Sequence, residues 1–335
     1  MSTSRKRKAH LIRAACLLGV LALAGMGIEC LVGALSLNDP RLTAPIFELR
    51  LSRALAAMLA GAACGASGAL LQGLFRNPLA DPGVLGTTAG ATFGAQCLFI
   101  LMMTGSSWLP GWIRPGIALP LGALVGAGLS LAVLLMVARF CRDAIAVLLV
   151  GFLVGSLCAS GSTVLDAWSL EDMDLGHALM AYTLGGVAGK SMYQVQMAFP
   201  LIVGGLWGAI RLGRSLDVLS SGEEEAIAMG VDVRQTRRLS ILWAGTLTAA
   251  MVILAGPLGF VGLIIPHALR PYIGPGHRLL IPFAALAGGA FTVWCDLVVR
   301  LVPSTAELPV SILTSIIGAP CFLIILLRGR KPWTT

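Results

Sequence analysis

The side chains able to perform acid–base, metal or nucleophilic chemistry are few in this sequence and lie far apart. The four histidines are His10, His177, His267 and His277, and no Ser/His/Asp set can be assembled from residues near them. The eight cysteines include no Cys-x-x-Cys pair and have no histidine at metal-ligand spacing. We therefore predict no catalytic residues, no metal site and no disulfide framework.

One glycine-rich segment ends like a phosphate-binding loop. It reads Gly-Gly-Val-Ala-Gly-Lys-Ser over residues 185–191. The phosphate-loop pattern requires glycine six positions before the lysine, where this sequence has Leu184, and it requires a preceding strand. The segment also falls on the predicted outer face, away from ATP. Nucleotide binding by this segment is not predicted.

The overall composition explains why such chemistry is scarce. Of 335 residues, 57% are hydrophobic and 12% are charged, and the mean hydropathy is +0.87. Soluble domains carry about 25% charged residues, so this composition excludes a soluble enzyme, a nucleic-acid-binding domain and a disordered scaffold. The sequence predicts an all-α, polytopic membrane protein.

A bilayer core requires about 20 apolar residues per helix. By this criterion about ten spans are predicted, at 11–35, 52–74, 84–104, 116–138, 144–165, 193–212, 239–255, 256–270, 279–299 and 308–327. Most of the 24 Lys and Arg residues then lie on the side of the N-terminus, which places both termini in the cytoplasm. The net charge of +8 follows from this topology and does not indicate nucleic-acid binding.

Small residues recur at four-residue spacing within the predicted spans. This spacing puts them on one helical face, where backbones can approach closely. The pairs are Gly61/Gly65, Gly86/Gly90/Gly94, Gly122/Gly126, Gly151/Gly155 and Gly204/Gly208. We interpret them as contacts between helices.

The longest polar stretch, residues 211–238, lies between the sixth and seventh predicted spans. Ser221 and Glu224 have the spacing of a capping box, Glu223 to Glu225 place negative charge on a first turn, and Gly230 is typical of a helix end. The pattern predicts a short cytoplasmic helix, then a second short helix over 232–238. A capped helix between two spans is a shape that a soluble partner can bind.

Two segments predict helix interruptions at corresponding places in the two halves. Paired interruptions of this kind indicate an internal repeat and a transport pathway. The first contains Asn77, Pro78, Asp81 and Pro82. The second contains Pro266, His267 and Arg270, followed by Pro271, Gly274, Pro275 and Gly276.

Ionisable residues also occur near predicted span ends. Asp296 and Arg300 are one turn apart, so an i,i+4 ion pair is expected. Paired acidic residues in mid-membrane would favour an ion-coupled secondary transporter, but most acidic residues here fall at span ends and in loops. That transporter and a membrane-embedded enzyme remain the alternative classes.

Several long motifs resemble those of the FecCD-type permeases. These are the membrane subunits of ABC importers for iron–siderophore complexes, haem and cobalamin. The motifs are Gly68–Gly86 with Arg-Asn-Pro-Leu-Ala-Asp-Pro-Gly inside it, Gly259–Arg270, Glu307–Val310 and Gly318–Pro320. The resemblance runs from about Leu49 to the C-terminus.

The resemblance implies a type II importer of the bacterial inner membrane with an inverted repeat. It implies a single permease domain over 1–335 that pairs with a second copy of itself or with a similar permease subunit. Two cytoplasmic ATPase subunits and a periplasmic binding protein complete the importer. The chain itself would bind no cofactor, because ATP and Mg²⁺ belong to the ATPase. The expected cargo is an iron complex, haem or a ferric siderophore, with cobalamin as the alternative.

The resemblance also implies roles for individual residues. Residues 223–226 and Gly230 match the coupling helices that enter a cleft on the ATPase, which gives roles to Glu223, Glu224, Glu225 and Ala226. Arg50, Arg53 and Arg300 match outer arginines that receive acidic residues of the binding protein. Exposed charges of this kind supply orientation and association rate more than affinity.

Overall fold

The structure is a computed structural model that describes residues 2–32, 43–105, 115–140, 144–170, 173–302 and 308–328. The described residues are almost entirely α-helical. The helices are α1 (Ser2–Leu31), α2 (Thr43–Leu74), α3 (Thr87–Met103), α4 (Pro115–Phe140), α5 (Ala144–Ser169), α6 (Met173–Leu184), α7 (Met192–Leu219), α8 (Glu223–Ala228), α9 (Val233–Ala255), α10 (Val261–Ile273), α11 (His277–Leu301) and α12 (Val310–Arg328). A 3-10 helix, Pro82–Leu85, precedes α3.

Each of the ten predicted spans corresponds to one of these helices. Within the described residues, seven helices (α1, α2, α4, α5, α7, α9 and α11) are long and apolar enough to cross a membrane, and α3 and α12 are shorter apolar helices. Two further helices, α6 and α8, do not correspond to predicted spans. The all-α membrane fold is therefore confirmed.

The core of the bundle is built around α2, α9 and α11. Along α2, small side chains such as Ala57, Ala60 and Ala63 are fully buried, and α9 is buried over most of its length. In contrast, α1 and α5 expose most of their apolar side chains, including Leu23 and Leu157. In a bilayer these apolar faces are available to lipid or to another membrane helix.

Glycines at four-residue spacing make the closest helix contacts. A Cβ added to Gly61 or Gly65 of α2 would meet the backbone of Gly288 or Ala284 on α11. The glycines of α3 and α4 meet in the same way, as Gly94 does with Gly122. These contacts confirm the predicted packing role, because a side chain at these positions would separate the backbones.

The glycine pair in α7 behaves differently. A Cβ on Gly208 would meet the indole of Trp243, while a Cβ on Gly204 would meet nothing within 4 Å. The predicted helix contact at Gly204 is therefore not present among the described residues.

The first predicted interruption is present in the structure. Helix α2 ends at Leu74, residues 75–81 are non-helical, and the chain re-enters helical structure at Pro82. The Asn77 carboxamide oxygen accepts from the Leu79 N–H (2.9 Å), and the Asp81 Oδ1 accepts from the Gly83 N–H (2.8 Å). These side chains satisfy backbone donors that a continuous helix would have satisfied.

The second predicted interruption is only partly present. Pro266 and Pro271 lie inside α10, so their predicted break was wrong, whereas residues 274–276 do separate α10 from α11. A further break precedes α10 at residues 256–260, where Gly256 (φ 64°) and Phe260 (φ 65°) have positive φ angles. Pro266 removes the N–H that would bond to the Gly262 carbonyl. The Gln72 carboxamide of α2 donates to that carbonyl (3.4 Å) and to that of Leu263 (3.1 Å), so a polar side chain from α2 supports the helix across the proline.

Candidate functional site

The two ends of the bundle carry different polar groups. Helix α8 joins the end of α7 to the start of α9, and so defines one end, here called the α8 end. At the other ends of these two helices, the Lys190 Nζ just before α7 donates to the Ile253 carbonyl near the end of α9 (3.3 Å). We call this second region the Lys190 end.

Helix α8 is shorter and capped differently from the predicted helix. Its N-cap is Gly222 (φ 141°), without a side-chain cap, so the Ser221 and Glu224 capping box was wrong. The glutamates do occupy its first turn, and the Gly230 N–H (φ 81°) bonds to the Ile227 carbonyl (2.9 Å) as expected of a helix end.

The second short helix predicted over 232–238 is also corrected. These residues are the N-cap and first turns of α9, since Asp232 Oδ1 accepts from the Gln235 N–H (2.9 Å) and the helix continues without interruption to Ala255. The sequence offers the reason, because no glycine or proline separates Arg238 from the apolar span that follows.

The surface of α8 combines acidic and apolar side chains. Ala226 is fully buried and anchors the helix, while Glu224, Glu225, Ile227 and Met229 are exposed. Glu223 bonds to the buried Arg237 of α9 at 2.8 Å, which fixes α8 to the start of α9. A movement of α8 would therefore be transmitted directly to α9.

The predicted docking arginines all lie at the Lys190 end, where Arg50 and Arg53 are buried and Arg300 is partly exposed. Arg50 donates to the carbonyls of Cys30 (3.2 Å) and Leu31 (2.9 Å), and Arg300 donates to those of Glu29 (3.0 Å) and Val32 (3.3 Å). Both guanidinium groups thus bind the last carbonyls of α1, which have no helical partners. Their role in docking stays a prediction.

The third arginine, Arg53, forms the ion pair that was predicted for Arg300. Arg53 bonds to Asp296 through Nε (2.8 Å to Oδ2) and Nη2 (2.9 Å to Oδ1). The expected Asp296–Arg300 pair was therefore wrong. Asp296 faces α2, whereas the Arg300 guanidinium reaches the end of α1.

A cavity of about 580 Å³ opens beside this ion pair. Part of its wall is the glycine-rich loop 186–190, so the segment that resembled a phosphate loop lines a cavity at the Lys190 end. The opposite walls include Met180 and Tyr182 of α6 and the start of α12. Lys190 is buried, and burial lowers the pKa of its ammonium group to about 8.

The start of α10 packs against the first interruption motif. A Cβ on Gly262 would lie 2.6 Å from the Pro82 ring, so the start of α10 rests directly on the first interruption. Asp81 sits at this contact with a solvent-shielded Oδ2, and burial raises the pKa of its carboxyl to about 6. Pro266 is buried within α10, while His267 and Arg270 are half-buried on the same helix.

Some polar contacts were not anticipated from the sequence. Asp217 near the end of α7 accepts from the backbone N–H of His277 and lies 3.0 Å from its Nδ1, which joins α7 to the start of α11. Lys190 was set aside with the false phosphate loop. The sequence signal for Lys190 was a lysine next to a predicted apolar span. Its burial could not be predicted, because it depends on how the loop folds.

Comparison with known proteins supports a transport role for this architecture. The model of the FecCD transport family matches residues 11–328. The vitamin B12 import system permease protein BtuC of Shigella boydii is 35% identical over 99% of this chain and 100% of its own length. The cobalamin import system permease protein BtuC of Halobacterium salinarum is 38% identical over 84% of this chain and 73% of its own.

A solved structure gives the same result at the level of the fold. It is described as an inward-facing conformation of a metal-chelate type ABC transporter. Its TM-score is 0.81 with 29% sequence identity, covering 95% of this chain and 99% of that one.

Proposed function

Because this chain belongs to the FecCD transport family, as an ABC importer permease, we propose that its cargo is cobalamin or a closely related corrinoid. The observation that carries the proposal is the match to a vitamin B12 permease along the full length of both chains. It favours the alternative of the sequence analysis over haem or a ferric siderophore. Cobalamin is itself a metal chelate, in keeping with the description of the structural relative.

The proposed assembly has two permease copies, two cytoplasmic ATPase subunits and one periplasmic binding protein. Residues 1–335 act as one permease domain of the bacterial inner membrane, with both termini in the cytoplasm. ATP and Mg²⁺ are used by the ATPase subunits, and this chain has no ATPase site of its own. Translocation requires no covalent step, so no catalytic residue is assigned.

Alternating access is the proposed mechanism. The ATPase subunits close on ATP and move the segment 211–238, in which Glu224, Glu225, Ile227 and Met229 form the exposed surface that binds them. The Glu223–Arg237 bond passes this movement to α9. The interruption motifs give the core non-helical segments at which helices can change their relative positions.

Docking of the binding protein is proposed at the Lys190 end, through Arg50, Arg53 and Arg300. Because Arg53 is held by Asp296, the test uses Arg50→Gln, whose amide can still donate to the carbonyls of α1. Binding-protein affinity should fall at low ionic strength, and the difference should shrink at high salt. Affinity equal to wild type at low salt would remove Arg50 from the docking surface.

The cargo is tested by offering cobalamin, haem and a ferric siderophore in parallel. The permease and its ATPase are reconstituted in proteoliposomes, each cargo is supplied on its binding protein, and ATP is enclosed with the ATPase. Accumulation of cobalamin alone supports the proposal. Accumulation of haem or the siderophore without cobalamin would restore the iron-complex interpretation.

A further inference from the structure

The cavity at the Lys190 end has polar groups at the base of largely apolar walls. Among its lining residues, the charged or strongly polar side chains are Arg53, Lys190, Gln194 and Asp296. Arg53 and Asp296 neutralise each other in a bidentate ion pair. Lys190 therefore provides the net positive charge of the described lining.

Lys190 is held in place by contacts on three sides. Its carbonyl accepts from the Ser52 hydroxyl (2.7 Å), its Nζ donates to the Ile253 carbonyl (3.3 Å), and its Nζ lies 5.0 Å from the centre of the Tyr182 ring. Gly185 (φ 77°) and Gly189 (φ 66°) allow the loop to fold back so that the lysine is buried. The ammonium is thus positioned before any ligand arrives.

The ammonium group has more donors than this site uses. An ammonium offers three N–H donors, and a single carbonyl acceptor is within hydrogen-bond distance among the described residues. A buried charge is costly unless further acceptors complete its shell. The cavity that Lys190 lines is wide enough to admit such an acceptor from outside.

We propose that this cavity is an outer subsite for an anionic oxygen group of the imported chelate, bound by the Lys190 ammonium. The inference rests on the proposed function for the choice of cargo. A lysine binds phosphate as a point charge, and the apolar walls of the cavity strengthen that attraction by excluding water. In cobalamin the fitting group is the phosphodiester of the nucleotide loop.

Two corrinoids separate this contact from general affinity for the ring. Cobalamin carries the phosphodiester, whereas cobinamide lacks the nucleotide loop and its phosphate. Removing the ammonium should therefore weaken cobalamin binding and leave cobinamide binding unchanged. Haem offers a second anionic probe through its propionate carboxylates.

The test measures equilibrium binding of radiolabelled cobalamin and cobinamide to the permease–ATPase complex in nanodiscs of phosphatidylcholine. We expect Lys190→Met to raise the Kd for cobalamin by at least about tenfold, because the substitution removes a charged hydrogen-bond donor. Lys190→Arg should retain most of the affinity. The matched control is Arg139→Met, which removes an exposed positive charge outside the cavity.

The pH dependence of cobalamin affinity provides a second readout. With a pKa of about 8, the lysine is charged at pH 7 and loses its charge as the pH rises to 9. Cobalamin affinity of the wild type should fall over this range, while Lys190→Arg should keep its affinity. The other ionisable groups lining the cavity are Tyr182, whose pKa is raised by burial, and the Arg53–Asp296 pair, beside which Glu29 of α1 lies. Any titration of these neighbours is shared by wild type and Lys190→Arg, so the difference between the two proteins reports on Lys190.

The outcomes test the subsite and the proposed cargo separately. Equal Kd values for wild type and Lys190→Met, or equal losses for cobalamin and cobinamide, would overturn the subsite. An effect that appears only when phosphatidylglycerol is added would assign Lys190 to a lipid headgroup and would also overturn it. Wild-type uptake of cobalamin is measured separately, so its failure would reject the proposed cargo without being mistaken for failure of the subsite.

Folding of the variants is monitored by their unfolding temperature and by retention of the ATPase. If Lys190→Met fails to assemble, Lys190→Gln replaces it, because its amide can still donate to the Ile253 carbonyl but has no charge. Loss of cobalamin selectivity over cobinamide in either variant supports the subsite. Unchanged selectivity in an assembled variant contradicts it.

Discussion

Arg53 of α2 and Asp296 of α11 are joined by two parallel hydrogen bonds of 2.8 and 2.9 Å, with the Asp296 side chain fully buried. Further along the same two helices, Gly61 and Gly65 contact Gly288 and Ala284. The ion pair therefore fixes the register of two helices whose small residues already bring the backbones together. Arg53 is thereby part of the helix packing at the Lys190 end.

The pair predicts an asymmetric response to substitution. Asp296→Leu removes the carboxylate that binds the buried Arg53 guanidinium and should cost about 3–5 kcal/mol of stability. The double variant Arg53→Met/Asp296→Leu should recover most of that loss, since it removes both charges of the pair. Thermal unfolding in detergent measures both, and a double variant as unstable as the single one would contradict the expectation.

The exposed glutamates of α8 are predicted to act in binding the ATPase. Glu224→Gln/Glu225→Gln should reduce co-purification of the ATPase and lower uptake, because both side chains are exposed on α8. The unfolding temperature should stay within about 2 °C of wild type, as expected of surface substitutions. Unchanged co-purification and uptake would exclude this surface from coupling.

Glu223 provides the comparison within the same turn. Glu223→Gln breaks the ion pair with the buried Arg237, so it should impair the coupling of α8 to α9 even where the ATPase still binds. The expected result is ATPase retention with reduced uptake. ATPase loss equal to that of the double variant would show that the three glutamates share one role.

The contact between α2 and α10 can be tested with a single methyl group. Gly68→Ala would place Cβ 2.6 Å from the Gly262 Cα and should destabilise the protein by about 1–3 kcal/mol through overpacking. The matched control is Gly204→Ala, where a Cβ meets nothing within 4 Å. Equal unfolding temperatures for the two variants would contradict the close packing of these helices.

Asp81 predicts a dependence of stability on pH. Burial raises the pKa of its carboxyl from 3.8 to about 6, so the folded state holds this proton more tightly than the unfolded state. Its contribution is most favourable below pH 3.8 and is lost as the pH rises through 6. Asp81→Asn keeps an acceptor for the Gly83 N–H, and it should gain up to about 3 kcal/mol relative to wild type between pH 4 and pH 7. A pH-independent difference in unfolding free energy would contradict this assignment.

The sequence predicted the helices well because hydropathy and glycine spacing are local properties. Each of the ten apolar runs overlaps a helix, and among the described residues seven of these helices are long and apolar enough to cross a membrane. The contacts of Gly61 and Gly94 followed from a repeat on one helical face. The interruption near Pro266 was misplaced because Gln72, almost two hundred residues away, supports the helix there. No local pattern could indicate that partner.

The polar groups at the Lys190 end were harder to predict for the same reason. The i,i+4 spacing of Asp296 and Arg300 favoured a pair within α11, but the buried Arg53 from α2 competes for the carboxylate with better geometry. The incomplete phosphate-loop pattern argues against nucleotide binding by residues 185–191. It carries no information on whether Lys190 binds another anion. Its burial depends on the packing of the loop against α2, α6 and α9.

The most direct test of the central claim is energy-dependent accumulation of cobalamin. Proteoliposomes containing this permease with its ATPase receive cobalamin on its binding protein, with enclosed ATP, with enclosed ADP, or with ADP and an imposed proton or sodium gradient. We expect accumulation with ATP alone, at the same rate when ionophores dissipate all gradients. Accumulation that requires an ion gradient and proceeds without ATP would contradict the account and identify a secondary transporter.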